Sequence, residues 1–240
     1  MKNAVVTGSS KGIGKQIGID LLRNGYFVFF NYGHDDSSAK ELEQELKSIS
    51  NNFKIIKNDF STKENIEKFC LEIISSVDEI DVLVLNAGAT NRNNLDTITF
   101  EEWSSVVMTN LNAPFYIIKM LRNVIKYNGN IIFIGSVLGK YPHSMSIPYS
   151  VSKAGVHMLA KSLVKEFCEE KIRVNVVAPG FVDTPWQKNK PQDQRKRIED
   201  KTALHRFAQV EEISNAVQFV INNNFINGAI VPIDGAYCYK

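Results

Sequence analysis

Tyr149 and Lys153 stand four residues apart in the stretch IPYSVSK, residues 147–153. Each side chain carries a proton whose ordinary pKa is ~10. On a helix, residues i and i+4 share one face, so the ammonium would lie beneath the phenol. A surface helix with an amphipathic tyrosine and a solvated lysine would read the same way. The chemical alternative is that the cation favours the phenolate and brings the phenolic proton within reach of acid–base work. Ser136 lies thirteen residues upstream of Tyr149, directly after a strand-like run.

A second group of residues suits phosphate. The stretch VTGSSKGIG, residues 6–14, follows a strand-like run and opens a helix-like one. Its glycines, Gly8, Gly12 and Gly14, are spaced GxxxGxG rather than GxGxxG. Glycine permits a tight turn and a close approach of a pyrophosphate. The helix behind it offers free N–H groups and the positive end of its dipole. A plain tight turn is the bland reading; the strand before and helix after favour the phosphate reading.

The elements that must position these groups are legible as an alternation. Seven β-branched apolar runs occupy 4–8, 26–33, 53–59, 81–88, 130–136, 173–180 and 229–235. They are nearly continuous rather than alternating, as expected of a sheet covered on both faces. Helix-length stretches separate them. Leu42, Leu46 and Ile49 share a helical face within Ser37–Ile49, as do Ile66, Phe69, Ile73 and Ile74 within Thr62–Ser76. Thr99-Phe-Glu-Glu102 has the form of a capping box, with an apolar-periodic stretch running on to about Ile125. This order predicts an α/β fold: a single-domain, doubly wound, seven-stranded parallel sheet with helices on both faces and right-handed crossovers. Ligands then bind where strands end, beside a topological switch point. Pro232 interrupts the last run and fits only an edge strand. The polar stretch from Gln187 to Lys201 reads as a loop or lid, drawn more widely as 184–206.

Composition narrows the functional classes. The chain has 240 residues, 22% of them charged, with a net charge of +2, which gives no strong field for nucleic acid or membrane. No apolar run reaches spanning length. Cys70, Cys168 and Cys238 are scattered, as are His34, His143, His157 and His205, so neither a disulfide framework nor a metal site is expected. Met1-Lys2-Asn3 leads straight into a strand, which leaves no room for a signal peptide and fits a cytoplasmic setting.

The motifs TGSSKGIG, Asp59, NAG (86–88), Asn110, Ser136, YSVSK (149–153) and PGFVDT (179–184) together resemble the short-chain dehydrogenase/reductase family, in order and spacing. The detailed pattern is similar to the 3-oxoacyl-acyl-carrier-protein reductases, with ALHRFAQVEEISNAV and GAIVPIDGA near the C-terminus. The resemblance implies a Rossmann-type fold and a ketone reduction. Tyr149 would be the general acid; Lys153, together with the charge of the oxidised nicotinamide, would lower its pKa, and Lys153 would also reach the nicotinamide ribose. Ser136 would hold the substrate carbonyl, and Asn110 a water relaying protons from Lys153. Cofactor contacts would come from Gly8, Ser10, Lys11, Gly12, Ile13 and Gly14 in the first loop. Asp59 would meet the adenine edge, though a strand-end cap explains it equally. Asn86, Ala87 and Gly88 would lie by the adenine ribose. Pro179, Gly180, Val182 and Thr184 would flank the nicotinamide, beside Tyr149 and Lys153.

NADPH is expected rather than NADH. The second strand ends Phe30-Asn31-Tyr32-Gly33, without the carboxylate that usually holds a ribose 2′-hydroxyl, and Lys11 could meet a 2′-phosphate. The bland reading of Lys11 is a solvated surface lysine. Asp35 and Asp36 could cap the next helix; either one folding back to the ribose would reverse the preference.

The expected substrate is a 3-oxoacyl thioester, with an acyl-carrier protein as possible partner. The similar reductases carry arginines at positions matching Tyr127 and Glu170, where only the neighbouring Lys126 and Lys171 are basic here. Lys188, Lys190, Arg195, Lys196, Arg197, Lys201 and Arg206 make the 184–206 stretch basic, against Asp193, Glu199 and Asp200; a solvated helix reads the same. Tyr141, Pro142 and His143 make the loop from Leu138 to Ile147 bulky for an acyl groove. An NAD-linked alcohol or sugar dehydrogenase, or a non-catalytic cofactor-binding regulator, are the alternatives. The resemblance also implies a homotetramer, in which Phe115, Leu159 and Leu163 would be interface or ordinary core.

Overall fold

The computed structural model describes residues 1–141, 146–188, 190–237 and 239. The strands are β1 (Lys2–Val6), β2 (Tyr26–Tyr32), β3 (Phe53–Lys57), β4 (Ile80–Leu85), β5 (Ile125–Ile134), β6 (Arg173–Pro179) and β7 (Ile230–Ile233). They form one seven-stranded sheet in the order β3-β2-β1-β4-β5-β6-β7, every pairing parallel. This is the doubly wound Rossmann-type sheet that the alternation predicts. Pro232 lies in β7 at the sheet edge, where its missing N–H breaks no ladder.

The expected runs overshoot most strands at their carboxyl ends. Residues 58–59, 86–88 and 135–136 belong to the turns beyond, and these turns carry the site.

The main helices are α1 (Gly12–Arg23), α2 (Asp36–Ile49), α3 (Lys63–Ile74), α4 (Phe100–Val107), α5 (Ala113–Leu121) and α6 (Ile147–Glu166). They are followed by α7 (Pro185–Lys188), α8 (Gln192–Lys201) and α9 (Val210–Asn222). The sheet divides the core in two because alternate strand side chains face opposite sides. Ala4 and Val6 of β1 pack with Ile17 and Leu21 of α1 and Ile213 and Val217 of α9. Val5 packs with Ile66 of α3, Ile117 of α5 and Val156 of α6.

Two expectations need correction. The single helix after Thr99 is two helices joined by a π-turn, Met108–Asn112, with Asn110 buried inside it. Apolar periodicity runs through such a turn without a sign of it, because one extra residue only rotates the face. The stretch from Gln187 to Lys201 is largely helical, as α7 and α8. No residue of α8 is buried, so it lacks the apolar face by which sequence reveals a helix. The capping box at Thr99 and Glu102 is present as expected.

His157 lies one turn past Lys153 on α6 and is 7% exposed. A Cβ at Gly135 would stand 2.6 Å from its Nε2, and one at Gly139 2.8 Å from its Cε1, so only glycine admits the ring. Burial, then the charges of Lys153 and Lys161, push its pKa down to about 4 from 6.5. The unfolded chain therefore takes up this proton first as pH falls. Stability should drop as pH falls from about 6.5 to about 4, by up to ~3 kcal/mol. Urea unfolding across this range should show that loss, and His157→Leu should remove it; an unchanged pH profile in the variant would refute the assignment.

Candidate active and cofactor site

The site forms where the carboxyl ends of β1, β4, β5 and β6 converge, around the point where strand order reverses. Gly8, at φ +61°, turns the chain sharply after β1, and a Cβ there would lie 2.7 Å from Ala87 Cα. A Cβ at Gly14 would stand 2.4 Å from Asn86 Nδ2 and 2.6 Å from the Gly8 carbonyl. The β1 and β4 ends are thus packed backbone to backbone. Hydrogen bonds lock them: Asn86 Nδ2 donates to the carbonyls of Thr7 and Gly8 at 3.0 and 2.8 Å. Thr7 Oγ1 accepts from the N–H groups of Asn86 and Ala87. Asn31, 2% exposed at the end of β2, receives the Gly8 N–H at 3.1 Å and so ties in the third strand.

The loop fits a pyrophosphate. The side chains of Asp35, Thr62 and Thr99 cap the N-termini of α2, α3 and α4. Lys11, at the N-cap of α1, makes no such bond, and no acid lies in that first turn. The N–H groups at Gly12, Ile13 and Gly14 are therefore left for an anion. Gly12 (φ +60°) faces Thr184, whose Cγ2 would lie 3.5 Å from a Cβ there. The turn after β6 is thereby brought onto the loop. Pro179 ends β6, Gly180 packs against Asp234, and Val182 bridges to Ala208.

Asp59 accepts from the Ser61 backbone N–H at 2.9 Å and from Asn65 Nδ2 at 3.1 Å, as a strand-end cap would. Asp35 caps α2 by accepting from Ser38 N at 3.0 Å, and its second oxygen grips Lys11 Nζ at 2.6 Å. Lys11 is therefore not simply solvated. Asp36 pairs instead with Lys57 at 2.8 Å.

The chemical half is built on α6. Lys153 is 5% exposed, and its Nζ donates to the Ile134 carbonyl, the last of β5, at 2.7 Å. Its Nζ lies 5.6 Å from the Tyr149 ring centre, so the predicted shared face is real. Ser136, 6% exposed just beyond β5, hydrogen-bonds the phenol, which favours phenolate. Asn110 Oδ1 accepts from Ala89 N at 2.7 Å, while its Nδ2 donates to Ala89 O and to Ser152 Oγ, both at 2.9 Å. Ser152 Oγ in turn donates to the Tyr149 carbonyl at 2.7 Å. A Cβ on Gly88 would be 3.5 Å from Asn110 Oδ1 and 3.9 Å from Lys153 Nζ. Asn110, Ser136, Tyr149 and Lys153 thus converge.

The electrostatics differ from expectation in one respect. The Tyr149 pKa is raised, not lowered: burial outweighs the Ser136 hydrogen bond. The same burial pushes Lys153 down to about 8. Desolvation disfavours both charged forms, and the pair needs a further positive charge before phenolate is favoured.

Sequence reasoning passed over Thr7, Asn31, Ser152 and Trp186. The first three act by short hydrogen bonds to turns whose partners lie far along the chain. Trp186 of α7 stands edge-on to Tyr149, with ring centres 6.5 Å apart. An aromatic within a polar stretch was its only signal. Pro142 and His143 lie outside the described residues. Lys126 is committed to Glu79 at 3.0 Å, Glu170 to Arg122 at 2.9 Å, and Lys171 to Tyr127. The lysines offered as substitutes for docking arginines are therefore already engaged.

The family profile described as short chain dehydrogenase matches residues 2–195. A 3-oxoacyl-[acyl-carrier-protein] reductase of Buchnera aphidicola is 36% identical over 239 residues, covering 98% of this chain and 96% of that one. A short-chain dehydrogenase/reductase structure from Serratia marcescens superposes with a TM-score of 0.93 at 25% identity, covering 98% and 97% of the two chains. The structure of BdcA in complex with NADPH gives 0.89 at 27% identity, covering 98% and 93%.

Lys153 supplies a direct check on the site. In the cofactor-free protein, the ¹³Cε resonance that disappears in Lys153→Arg should titrate near about 8 rather than near 10.5. Titration at the ordinary lysine value would mean that the ammonium is not desolvated. Both halves of the site meet at the switch point of the sheet, and with relatives of this identity and coverage the chain belongs to the short-chain dehydrogenase family and is an NAD(P)-dependent oxidoreductase.

Proposed function

We propose that the protein reduces a ketone to a secondary alcohol with NADPH, and that the ketone is a 3-oxoacyl thioester yielding the 3-hydroxyacyl form. The observation that carries this reading is the convergence of Ser136, Tyr149 and Lys153 beside an uncapped glycine loop. The thioester follows from the 3-oxoacyl-[acyl-carrier-protein] reductase at 36% identity, and NADPH from the NADPH-bound neighbour.

Bound at this site, the nicotinamide would supply the hydride to the carbonyl carbon. Ser136 would hold the carbonyl oxygen by hydrogen bond and stabilise the charge that develops there. Tyr149 would pass its phenolic proton to that oxygen, leaving phenolate. Lys153, held by the Ile134 carbonyl, would stabilise the phenolate and orient the cofactor's ribose. Asn110, buried in the π-turn, would anchor the route by which the proton is replaced from solvent. The first loop would hold the pyrophosphate, and the segment 184–206 would act as a lid over Tyr149. Exposed apolar residues on α5 and α6, Phe115, Tyr116 and Met158, support a homotetramer, and we carry a cytoplasmic setting from the family resemblance.

Absorbance assays with NADPH and NADH on a short 3-oxoacyl thioester test the reading. Tyr149→Phe keeps the ring and removes only the proton. It should cut kcat by roughly 10²–10⁴ while leaving NADPH binding intact. Retained turnover would remove Tyr149 from the chemistry. Oxidation of an alcohol with NAD in preference to ketone reduction would favour the dehydrogenase reading.

Asp35 offers a separate check on cofactor choice. A 2′-phosphate at Lys11 must share that ammonium with Asp35. Asp35→Asn keeps the α2 cap and removes the competing charge. The ratio of kcat/KM for NADPH over NADH should rise roughly 1.5-fold to fivefold, the modest change expected of an exposed pair. A fall in the ratio would show that Asp35 aids rather than opposes NADPH.

A further inference from the structure

We propose that Ser152 is a positioning residue for Tyr149: together with Asn110 it ties the first turn of α6 to the loop after β4, and so fixes where the phenol stands relative to Ser136 and Lys153. This rests on the ketone-reducing reading, in which Tyr149 gives up the proton.

The first turn of α6 has little to hold it within its own helix. Ser146, at the N-cap, makes no side-chain bond to that turn. Its hydroxyl lies instead 2.9 Å from the hydroxyl of Thr90, in the loop after β4. Pro148, in the same first turn, has no N–H to offer. A helix start without a side-chain cap lacks a main source of its local stability, yet this one carries the reacting phenol. Its placement has to come from contacts outside the helix.

Ser152 supplies such a contact from within the core. Its Oγ donates to the Tyr149 carbonyl at 2.7 Å. A serine inside a helix commonly turns back onto a carbonyl of the preceding turn, with no further consequence. Here the same oxygen also accepts from Asn110 Nδ2 at 2.9 Å, a bond that leaves the helix and crosses 42 positions of sequence. The Ala89 backbone sets the direction of every bond in the series. Its N–H donates to Asn110 Oδ1 at 2.7 Å, so Asn110 Nδ2 faces the Ala89 carbonyl, at 2.9 Å. One N–H of that amide is then left, and it goes to Ser152. Ser152 must accept there, and its single proton is left for the Tyr149 carbonyl. The series Ala89, Asn110, Ser152, Tyr149 therefore has one arrangement. Asn110 and Ser152 are 1% and 0% exposed, so bulk water does not compete for these bonds.

The ring follows the turn, because a side chain holds a staggered rotamer relative to its backbone. An alanine at 152 would release the Tyr149 carbonyl and leave an Asn110 N–H buried without an acceptor. A shifted turn would carry the phenol away from the Ser136 hydroxyl, whose hydrogen bond favours phenolate.

Tyrosine ¹³Cζ resonances of the NADP⁺-loaded protein test this without turnover. The signal that vanishes in Tyr149→Phe marks the phenol. In Ser152→Ala it should titrate about 0.5–1 pH unit higher than in wild type, as expected when a hydrogen bond to phenolate is weakened. In ketone reduction kcat should fall roughly tenfold to hundredfold, the cost of a misplaced reacting group, with the Kd for NADPH unchanged. Ser152→Cys keeps nearly the same volume and weakens both bonds. It should move the titration in the same direction by a smaller step, and it serves as the test if the alanine variant does not fold. A Tyr149 titration unchanged in these variants, or a kcat loss matched by an equal loss of NADPH affinity, would overturn the assignment. Failure of wild type to reduce any ketone would count against the proposed function, while the titration still decides the role of Ser152.

Discussion

A lysine ammonium held almost wholly out of water is the constraint around which this structure is organised. Burying a charge is costly unless it is hydrogen-bonded, and Lys153 finds its partner in the carbonyl of Ile134, where β5 ends. That bond joins α6 to the sheet at the depth where Tyr149 meets Ser136. It also explains the glycines around it. Gly135 and Gly139 leave room for His157, one turn on, and Gly88 leaves room beside Lys153 Nζ and Asn110.

The same burial sets the chemistry. It raises the phenol and lowers the ammonium, so neither group is poised in the protein alone. A positive charge brought in next to them would favour phenolate at Tyr149 while lowering the Lys153 pKa further. The two halves of the site are therefore linked through electrostatics as well as through the turns that join them. Asn86 and Thr7 hold the glycine loop against β4, and Asn110 holds the next stretch of that same β4 turn.

The rim of the pocket obeys a different rule. Most charges there are solvated and paired, as in Arg197 with Asp193 and Arg206 with Glu212, and such pairs contribute little to stability. At the adenine end, Lys11 likewise has a carboxylate, Asp35, against which any phosphate must compete.

Much of this was legible in the sequence because it depends on local periodicity and spacing. The parallel sheet follows from unbroken apolar runs separated by helix-length stretches, the edge position of β7 from Pro232, and the Tyr149–Lys153 face from a separation of one helical turn. Asn110, Ser136, Tyr149 and Lys153 were readable as a set through the family resemblance. Other features depended on contacts between residues far apart in the chain, which no local pattern encodes. The π-turn that carries Asn110 leaves no mark on the periodicity of its helices. The direction of the Tyr149 shift needed the depth of burial around the ring. Asp35 could be read as a cap from its place before α2, but its grip on Lys11 crosses 24 positions of sequence. Sequence by itself determined the architecture and the one-turn spacing of Tyr149 and Lys153, since both arise from neighbours on one helix or strand; tertiary structure alone decided which charges are buried or paired, since that depends on what the fold packs around each one.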